Sequence, residues 1–486
     1  MVAVSVLIVG AGISGLSCGY HLNALVRDNP DADIQLKLKI VDARDDVGGR
    51  IQSVTDAAFI TDAGLDLDMG GQDLFFGDQD QYAALLTDDD QEKFRNFRES
   101  FPTVSYSPVS GCESAINNVG DDCEASMFNF DEPSRCTSNK KFDNYCVCAG
   151  NPPDSDVVID GIVCNRTPSS LTAIANTRGE DCNEWCAQYV TGDTVTTCSE
   201  YDDYSSCNQN EVFPRDNRNA SFADASLGTF VKEFFYKPLK EAKEVKFRLN
   251  TQIEKIKYKP GKGKVKADWA SAKGKSGRFK ADHLVVAVPK TQIQDSTKLK
   301  FEPDLDPKFR AKFEDSGVKL GVRIWVEFET KFYDTVTDFP DDGARYWDAV
   351  KGYDTDRNIV TIQGNRNEFL GNRFDTALTD MTDTELRNLL IKDMDAAYNG
   401  TASLNFNYTA NKFYVRNYAK EEFIEMSTGS EDIDFRNTDF SVKGTSLGLV
   451  DGRIWFIGDY YENFPDNTSA ESGKLAAQKI WEKITS

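Results

Sequence analysis

A chain of 486 residues is long enough for two or three domains around a sizeable core. Its net charge of −23 argues against nucleic acid or an anionic membrane as a partner, and no apolar run approaches the roughly 20 residues that cross a bilayer. Two histidines in the whole chain leave little material for triad or imidazole-based metal chemistry, and no metal is expected.

The chain opens on VSVLIVGAGISG at residues 4–15. Val4, Val6, Leu7, Ile8 and Val9 read as a buried parallel strand. Gly10, Gly12 and Gly15 then let the backbone turn tightly, approach a pyrophosphate and start a helix running from about Ser14 to Val26. The positive N-terminal end of that helix faces the phosphates. A second strand, Leu36–Val41, ends in Asp42, a carboxylate placed for ribose hydroxyls. The first strand has no basic flank and leads directly into the glycine motif, so it reads as mature protein rather than a leader. Ala43-Arg44-Asp45-Asp46-Val47-Gly48-Gly49-Arg50 follows, then Asp68-Met69-Gly70-Gly71-Gln72. Residues 79–101 read as an acidic helix ending in a stretch with three phenylalanines.

Ten of the eleven cysteines fall between Cys112 and Cys207, in a segment rich in Ser, Asn, Asp and Gly with little periodicity. An even count without histidine suits disulfides in an oxidising compartment. The rival reading, metal binding through Cys146-x-Cys148 and Cys182-x3-Cys186, lacks a paired CxxC spacing. Cys18, on the first helix, reads as a small buried residue. Sequons at Asn165, Asn219, Asn399, Asn407 and Asn467 agree with an extracellular location.

Helical patterning returns at 226–244, followed by a strand over Val245–Tyr258, an exposed Lys- and Gly-rich hairpin over Lys259–Lys275, and a buried strand in Ala281–Pro289. Val318–Phe328 alternates like a strand with one face buried. Thr382 and Glu385 make a capping box opening a helix through about Tyr398. Arg453–Gly458 reads as a strand and Thr468–Thr485 as an amphipathic helix. Strands and helices alternate at both ends, so a discontinuous nucleotide domain is expected. His21 and His283 read as structural.

These pieces together resemble the flavin-containing amine oxidase family, which includes monoamine, polyamine and L-amino acid oxidases. The matching stretches are GAGISGL at 10–16, VDARDDVGGRI at 41–51, DMGGQ at 68–72, LNTQIEKI at 249–256, ADHLVVAVP at 281–289, and WFIGD with AESGKLAA within 455–477. The resemblance implies α/β and α+β architecture. A Rossmann-type FAD-binding domain would occupy 1–78, 226–300 and 440–486, a mixed-sheet substrate domain 79–104 and 301–439, and a disulfide-rich insert 105–225. It implies FAD rather than NAD, through Gly48-Gly49-Arg50. Gly10, Gly12, Ile13, Ser14 and Gly15 would hold the pyrophosphate. Asp42 would bind the ribose, where the family usually has Glu. Ala43, Arg44, Gly49 and Arg50 would line the phosphate and ribityl path, and Met69, Gly70, Gly71 and Gln72 would pass near the isoalloxazine. Ile253 would present backbone groups to the adenine, Val288 would also touch the cofactor, Gly458 and Asp459 would contact the ribityl-phosphate region, and Thr468 and Ser469 would form the helix end at flavin N1/O2.

The same resemblance implies hydride removal from an amine-bearing carbon, with oxygen reduced to peroxide. Lys298, in Lys298-Leu-Lys-Phe-Glu-Pro303, matches the lysine that holds a water near the flavin; Lys300 is the alternative. The family's aromatic cage residue before the last helix has Phe464-Pro465 in its place. Asp73 after the Gly-Gly-x motif favours an amine or polyamine substrate over an amino acid. An L-amino acid oxidase remains the alternative, its carboxylate-gripping arginine coming from Arg323 or Arg416. A flavin-fold binding protein without oxidase activity is the alternative of another class. The oligomeric state is left open.

Overall fold

The computed structural model describes residues 2–54, 59, 65–69, 85–100, 226–314, 318–319, 321–333, 336–338, 345–350, 355–364, 380–425, 428–429, 448–459 and 468–486. It also describes the backbone of short strands between 103 and 222. The first strand, β1 (Val2–Val9), and the second, β2 (Ile34–Val41), pair in parallel over their whole length. They lie in a six-stranded sheet ordered Val245–Arg248, β2, β1, His283–Val286, Ile454–Phe456, Gly448–Val450, in which only the last pairing is antiparallel. The continuous apolar runs of β1 and His283–Val286 are explained by burial on both faces.

One face is covered by helix α1 (Ile13–Asp28) and the C-terminal helix Thr468–Thr485, which pack on one another. Gly473 permits the approach, because a Cβ there would stand 2.2 Å from the Ser14 carbonyl oxygen. Ser17 Oγ donates to the Ala470 carbonyl at 2.6 Å beside it. Cys18 is buried in this layer as a free thiol, and burial pushes its pKa up to about 12. Helix Asp88–Ser100 lays Phe94 and Phe97 against Phe230 and Phe234 in edge-to-face contacts. Helical structure from Leu227 to Glu241 includes a π-helical turn over Lys232–Tyr236.

Two strands differ from what the sequence leads one to expect. Val245–Tyr258 divides into Val245–Arg248 and Thr251–Lys259, which belong to different sheets. The break is Asn250, at φ 52°, a left-handed conformation that Asn tolerates better than most residues. Thr251–Lys259 forms the expected hairpin with Lys262–Ser271, inside a sheet ordered Ser276–Ala281, Lys262–Ser271, Thr251–Lys259, Lys300–Glu302. The other correction is Val322–Phe328, an interior strand of a five-stranded antiparallel sheet, buried on both faces rather than one. Val322, Ile324 and Val326 meet Leu386, Leu390 and Met394 of helix Asp383–Ala397, whereas Trp325 packs with Phe59, Leu67 and Met69. That helix begins on the expected capping box, with Thr382 and Glu385 exchanging side-chain-to-backbone bonds.

Backbone strands Tyr145–Ala149, Leu171–Asn176 and Thr197–Glu200 form a three-stranded sheet. The pairing of the ten clustered cysteines, and with it the disulfide-rich insert, lies outside what is described. No described helix is long and apolar enough to cross a membrane. Among the described residues no group of three or more His, Cys, Asp or Glu could hold a metal ion.

Candidate cofactor site

Four parallel strands end side by side, and the residues just beyond each end make one continuous rim. They are Asp42–Arg44 after β2, Gly10–Gly12 after β1, Ala287–Val288 after His283–Val286, and Ile457–Asp459 after Ile454–Phe456. Backbone bonds lock the rim: Ala287 N donates to the Val9 carbonyl at 2.8 Å and Ile457 N to the Val286 carbonyl at 3.0 Å. Ligands of open α/β sheets bind at this edge, where strand ends, helix starts and crossovers meet.

The glycine loop is built by contacts that exclude side chains. A Cβ on Gly15 would lie 2.0 Å from the Gly10 carbonyl oxygen, and one on Gly10, at φ 108°, would lie 2.2 Å from that of Ala287. Gly12 differs. Its backbone is ordinary (φ −69°, ψ 174°), and a Cβ there would meet nothing nearer than the Gly49 Cα at 3.9 Å. The fold does not require glycine at 12, so the bare backbone leaves room for a group that approaches the loop closely. Helix α1 starts there, and its first amides have no intrahelical acceptor. The Gly48-Gly49 turn docks on the same loop, with Gly48 N donating to the Ala11 carbonyl at 2.8 Å. Such a cradle fits a dinucleotide diphosphate.

Asp42 is held from three directions. Its Oδ2 accepts from Ala11 N at 2.6 Å and its Oδ1 from Arg44 N at 2.9 Å, with Arg44 Nε 3.8 Å away. Burial raises its pKa above the ordinary carboxylate value, opposed by Arg44 and the two amides. It ties β2 to the glycine loop, and each of its oxygens retains acceptor capacity beyond these bonds. Thr251 N donates to the Asp42 carbonyl at 2.8 Å, which brings the Thr251–Lys259 strand and Ile253 to this corner. Across the rim, Arg50 Nη2 reaches Asp459 Oδ2 at 2.6 Å.

The five-stranded sheet presents a second group. Arg323 and Arg416 are directly opposed on adjacent strands and are both buried, at 1% and 3% exposure. Arg416 pairs with Glu421 through both guanidinium forks and lies over the Tyr418 ring, its Cζ 4.9 Å from the ring centre. Its Nη1 is buried with no hydrogen-bond partner among the described residues. Tyr418 Oη donates to the Met69 carbonyl at 3.2 Å, beside the Gly70-Gly71 motif. Burial raises the Tyr418 pKa, opposed by Arg416, Arg323 and Arg50.

Lys298 Nζ forms an ion pair with Glu425 Oε2. The turn carrying Glu425 is anchored by Thr291 Oγ1, which donates to the Ile424 carbonyl at 2.8 Å. Lys300, the alternative, faces solvent on another sheet near Glu302. Sequence reasoning does not find Tyr418, Glu421 and Glu425: Tyr418 and Glu425 meet partners distant in sequence, Met69 and Lys298, and Glu421 pairs with Arg416 five residues away without a motif to mark it. His21 and His283 are buried in packing layers away from the rim. Gly70, Gly71, Gln72, Asp73 and Phe464 lie outside the described residues, as does the Thr468 side chain.

Comparison with known proteins supplies the chemistry. A model of flavin-containing amine oxidoreductases matches residues 187–481, more than half of the chain, and one of NAD(P)-binding Rossmann-like domains matches 8–87. No curated protein sequence matches. Among solved structures, wild-type putrescine oxidase bound to putrescine overlays at 14% identity, with 99% of each chain covered and a TM-score of 0.55. A triple mutant of that oxidase overlays at 13% identity, 99% of each chain and 0.54. Cyclohexylamine oxidase from Brevibacterium oxydans IH-35A gives 14%, 99% of each chain and 0.48. At such identities the two putrescine oxidase overlays establish the fold alone.

Proposed function

Because the chain belongs to the flavin-containing amine oxidoreductase family, with FAD as cofactor, we propose that it is an oxidase of amines or polyamines acting at the amine-bearing carbon. The observation that carries this reading is the convergence of Gly12, Gly49, Arg50 and Asp459 on one edge of the parallel sheet. When bound, FAD supplies the hydride acceptor and a route for two electrons to oxygen, so the products are an imine, hydrolysed to a carbonyl compound and ammonia or an amine, and hydrogen peroxide.

The chain's own residues bind and orient. Amides of Ile13 and Ser14 at the start of α1 hold the pyrophosphate, and Asp42 holds the ribose. Arg44 and Arg50 place positive charge along the phosphate path, with Arg50 fixed by Asp459. The Lys298 ammonium, fixed by Glu425, donates a hydrogen bond to a water beside the reacting carbon. The N-terminal end of the Thr468–Thr485 helix stabilises negative charge that develops nearby. Asp73 and Phe464 are assigned to the substrate from the sequence alone, Asp73 as the group that attracts a cationic amine. Putrescine oxidase, which shares the fold, is consistent with such a substrate.

One observation favours a second reading, an L-amino acid oxidase. The buried Arg416 Nη1 has no partner among the described residues and Arg416 stands opposite Arg323, an arrangement suited to a carboxylate. We also place the protein outside the cell, with the clustered cysteines paired and the sequons glycosylated; reactive-thiol counts and glycosidase shifts on secreted protein test this.

The deciding experiment is oxygen uptake by purified protein across amines, polyamines and amino acids. Yellow protein, bleached anaerobically by an amine and producing peroxide in air, supports the proposal. Uptake with amino acids but not amines transfers it to the second reading. Colourless protein with no uptake overturns both.

A further inference from the structure

The outer face of the four-stranded sheet has a charge opposite to that of the chain as a whole. Between 251 and 280 stand ten Lys and Arg against two Asp and Glu, +8 in thirty residues, so the remainder of a chain at −23 carries −31. Alternation buries Ile256, Tyr258, Val265, Ala267, Trp269 and Phe279 on one side and leaves the cations on the other. The register sets Lys257 opposite Lys266, and Lys266 opposite Lys280, a row of three ammonium groups on three adjacent strands. The neighbouring row is Lys300, Lys255, Asp268 and Arg278.

Like charges directly opposed across strands destabilise a sheet. Asp268 and Glu302 offset part of that: Lys255 lies 3.1 Å from Glu302, Lys257 lies 3.2 Å from Asp268, and Arg278 also pairs with Asp268. Lys266 and Lys280 have no ion pair among the described residues. Lysine on an edge strand blunts strand-to-strand aggregation, which accounts for Lys280. It does not account for Lys266, whose strand is paired on both sides.

We propose that this face docks a linear acidic polysaccharide, sulfated or carboxylated. The outer side has no aromatic ring, so it offers no stacking platform for nucleic-acid bases. It has no large apolar side chain to enter a bilayer, and a plane of anionic headgroups would also meet the remainder at −31. A thin chain follows the lysine row without approaching that remainder. Lysine, a flexible point charge, suits recognition by charge density rather than by a fixed bidentate geometry. The surface is independent of the redox reading.

The test uses the full-length, FAD-loaded protein at pH 7 with heparin as the probe, measuring Kd across a series of NaCl concentrations. The wild type binds, despite its acidic pI, with an affinity that falls steeply with salt. Joint substitution Lys257→Gln, Lys266→Gln and Lys280→Gln lowers the slope of log Kd against log salt by about two, at roughly 0.7 per contact. Flavin absorbance and oxygen uptake stay unchanged. A control triple, Lys308→Gln, Lys392→Gln and Lys479→Gln, binds as the wild type. If the first triple loses its flavin, Lys266→Gln alone is read instead, with a fall of about 0.7. Absent wild-type binding, equal loss in both triples, or tighter binding to duplex DNA or to phosphatidylserine vesicles than to heparin overturns the proposal.

Discussion

Arg50 and Asp459, near opposite ends of the chain, form a 2.6 Å ion pair that joins the loop after β2 to the end of strand Ile454–Phe456. Both side chains are about four-fifths buried, so the pair is screened less than a surface bridge. It ties the Gly48-Gly49 turn, which docks on the glycine loop, to the rim beyond strand Ile454–Phe456. Arg50→Gln is expected to weaken FAD retention about tenfold, or about 1.4 kcal/mol. Asp459→Asn should lose less than that again in the Arg50→Gln background, with a coupling of about 1 kcal/mol. Titration of apoprotein with FAD, followed by fluorescence quenching, measures all four corners of the cycle; strictly additive losses count against a shared role.

Gly12 separates what the fold needs from what the cofactor needs. A methyl at this position would stand in open space on an ordinary backbone. Gly12→Ala should therefore leave the melting temperature of the apoprotein within a degree or two, since surface-like changes stay within about 0.5 kcal/mol. The methyl would occupy the diphosphate's approach, so FAD affinity should fall at least about a hundredfold. Gly15→Ala, whose Cβ meets the Gly10 carbonyl, should instead destabilise the apoprotein itself by about 1–3 kcal/mol. Equal behaviour of the two variants would remove the case for a ligand-shaped glycine at 12.

Much of this site was legible because its determinants are local. The Gly10-x-Gly12-x-x-Gly15 turn, the carboxylate ending β2, the Thr382–Glu385 box and the Thr468–Thr485 helix each follow from a few adjacent residues, and the structure has them at those positions. What escaped depends on distant partners. The break at Asn250 is a choice between two sheets that both accept apolar alternation. Val322–Phe328 reads as half-exposed because Arg323 and Glu327 are polar, yet ion pairing and hydrogen bonding allow both to be covered. Glu425 carries no motif, and only the meeting of two loops identifies it as the partner of Lys298. Net charge, finally, averages away a lysine face whose register is the informative quantity.

The Lys298–Glu425 pair yields a prediction about order within the site. Lys298→Met should retain FAD and lower kcat about a hundredfold, the usual scale for a positioned proton-bearing group. Glu425→Gln should lower kcat about tenfold with KM little changed, because the ammonium remains but is no longer fixed. Glu425→Asp should recover part of the loss. Lys300→Met, on the solvent face, should do neither. Steady-state kinetics on the four variants distinguishes these outcomes, and an unchanged kcat in Lys298→Met would dismiss the lysine.

Acid stability tests the two histidines. His21 bonds the Leu85 carbonyl at 2.8 Å through Nε2, and His283 faces the Trp455 indole N–H at 3.4 Å through Nδ1. Burial holds each imidazole down to about 4, against an ordinary value near 6.5. Below pH 6.5 the unfolded chain therefore binds protons that the folded chain refuses, so stability falls as pH drops from about 6.5 and stops falling on this account near 4. Each histidine contributes about 3 kcal/mol across that window. His21→Gln, which keeps an N–H donor toward Leu85, should show an acid-side loss smaller than the wild type's by that amount, with His283 still titrating. Chemical denaturation at pH 7 and pH 4 measures the difference; identical losses in both proteins would mean that His21 is charged in the fold.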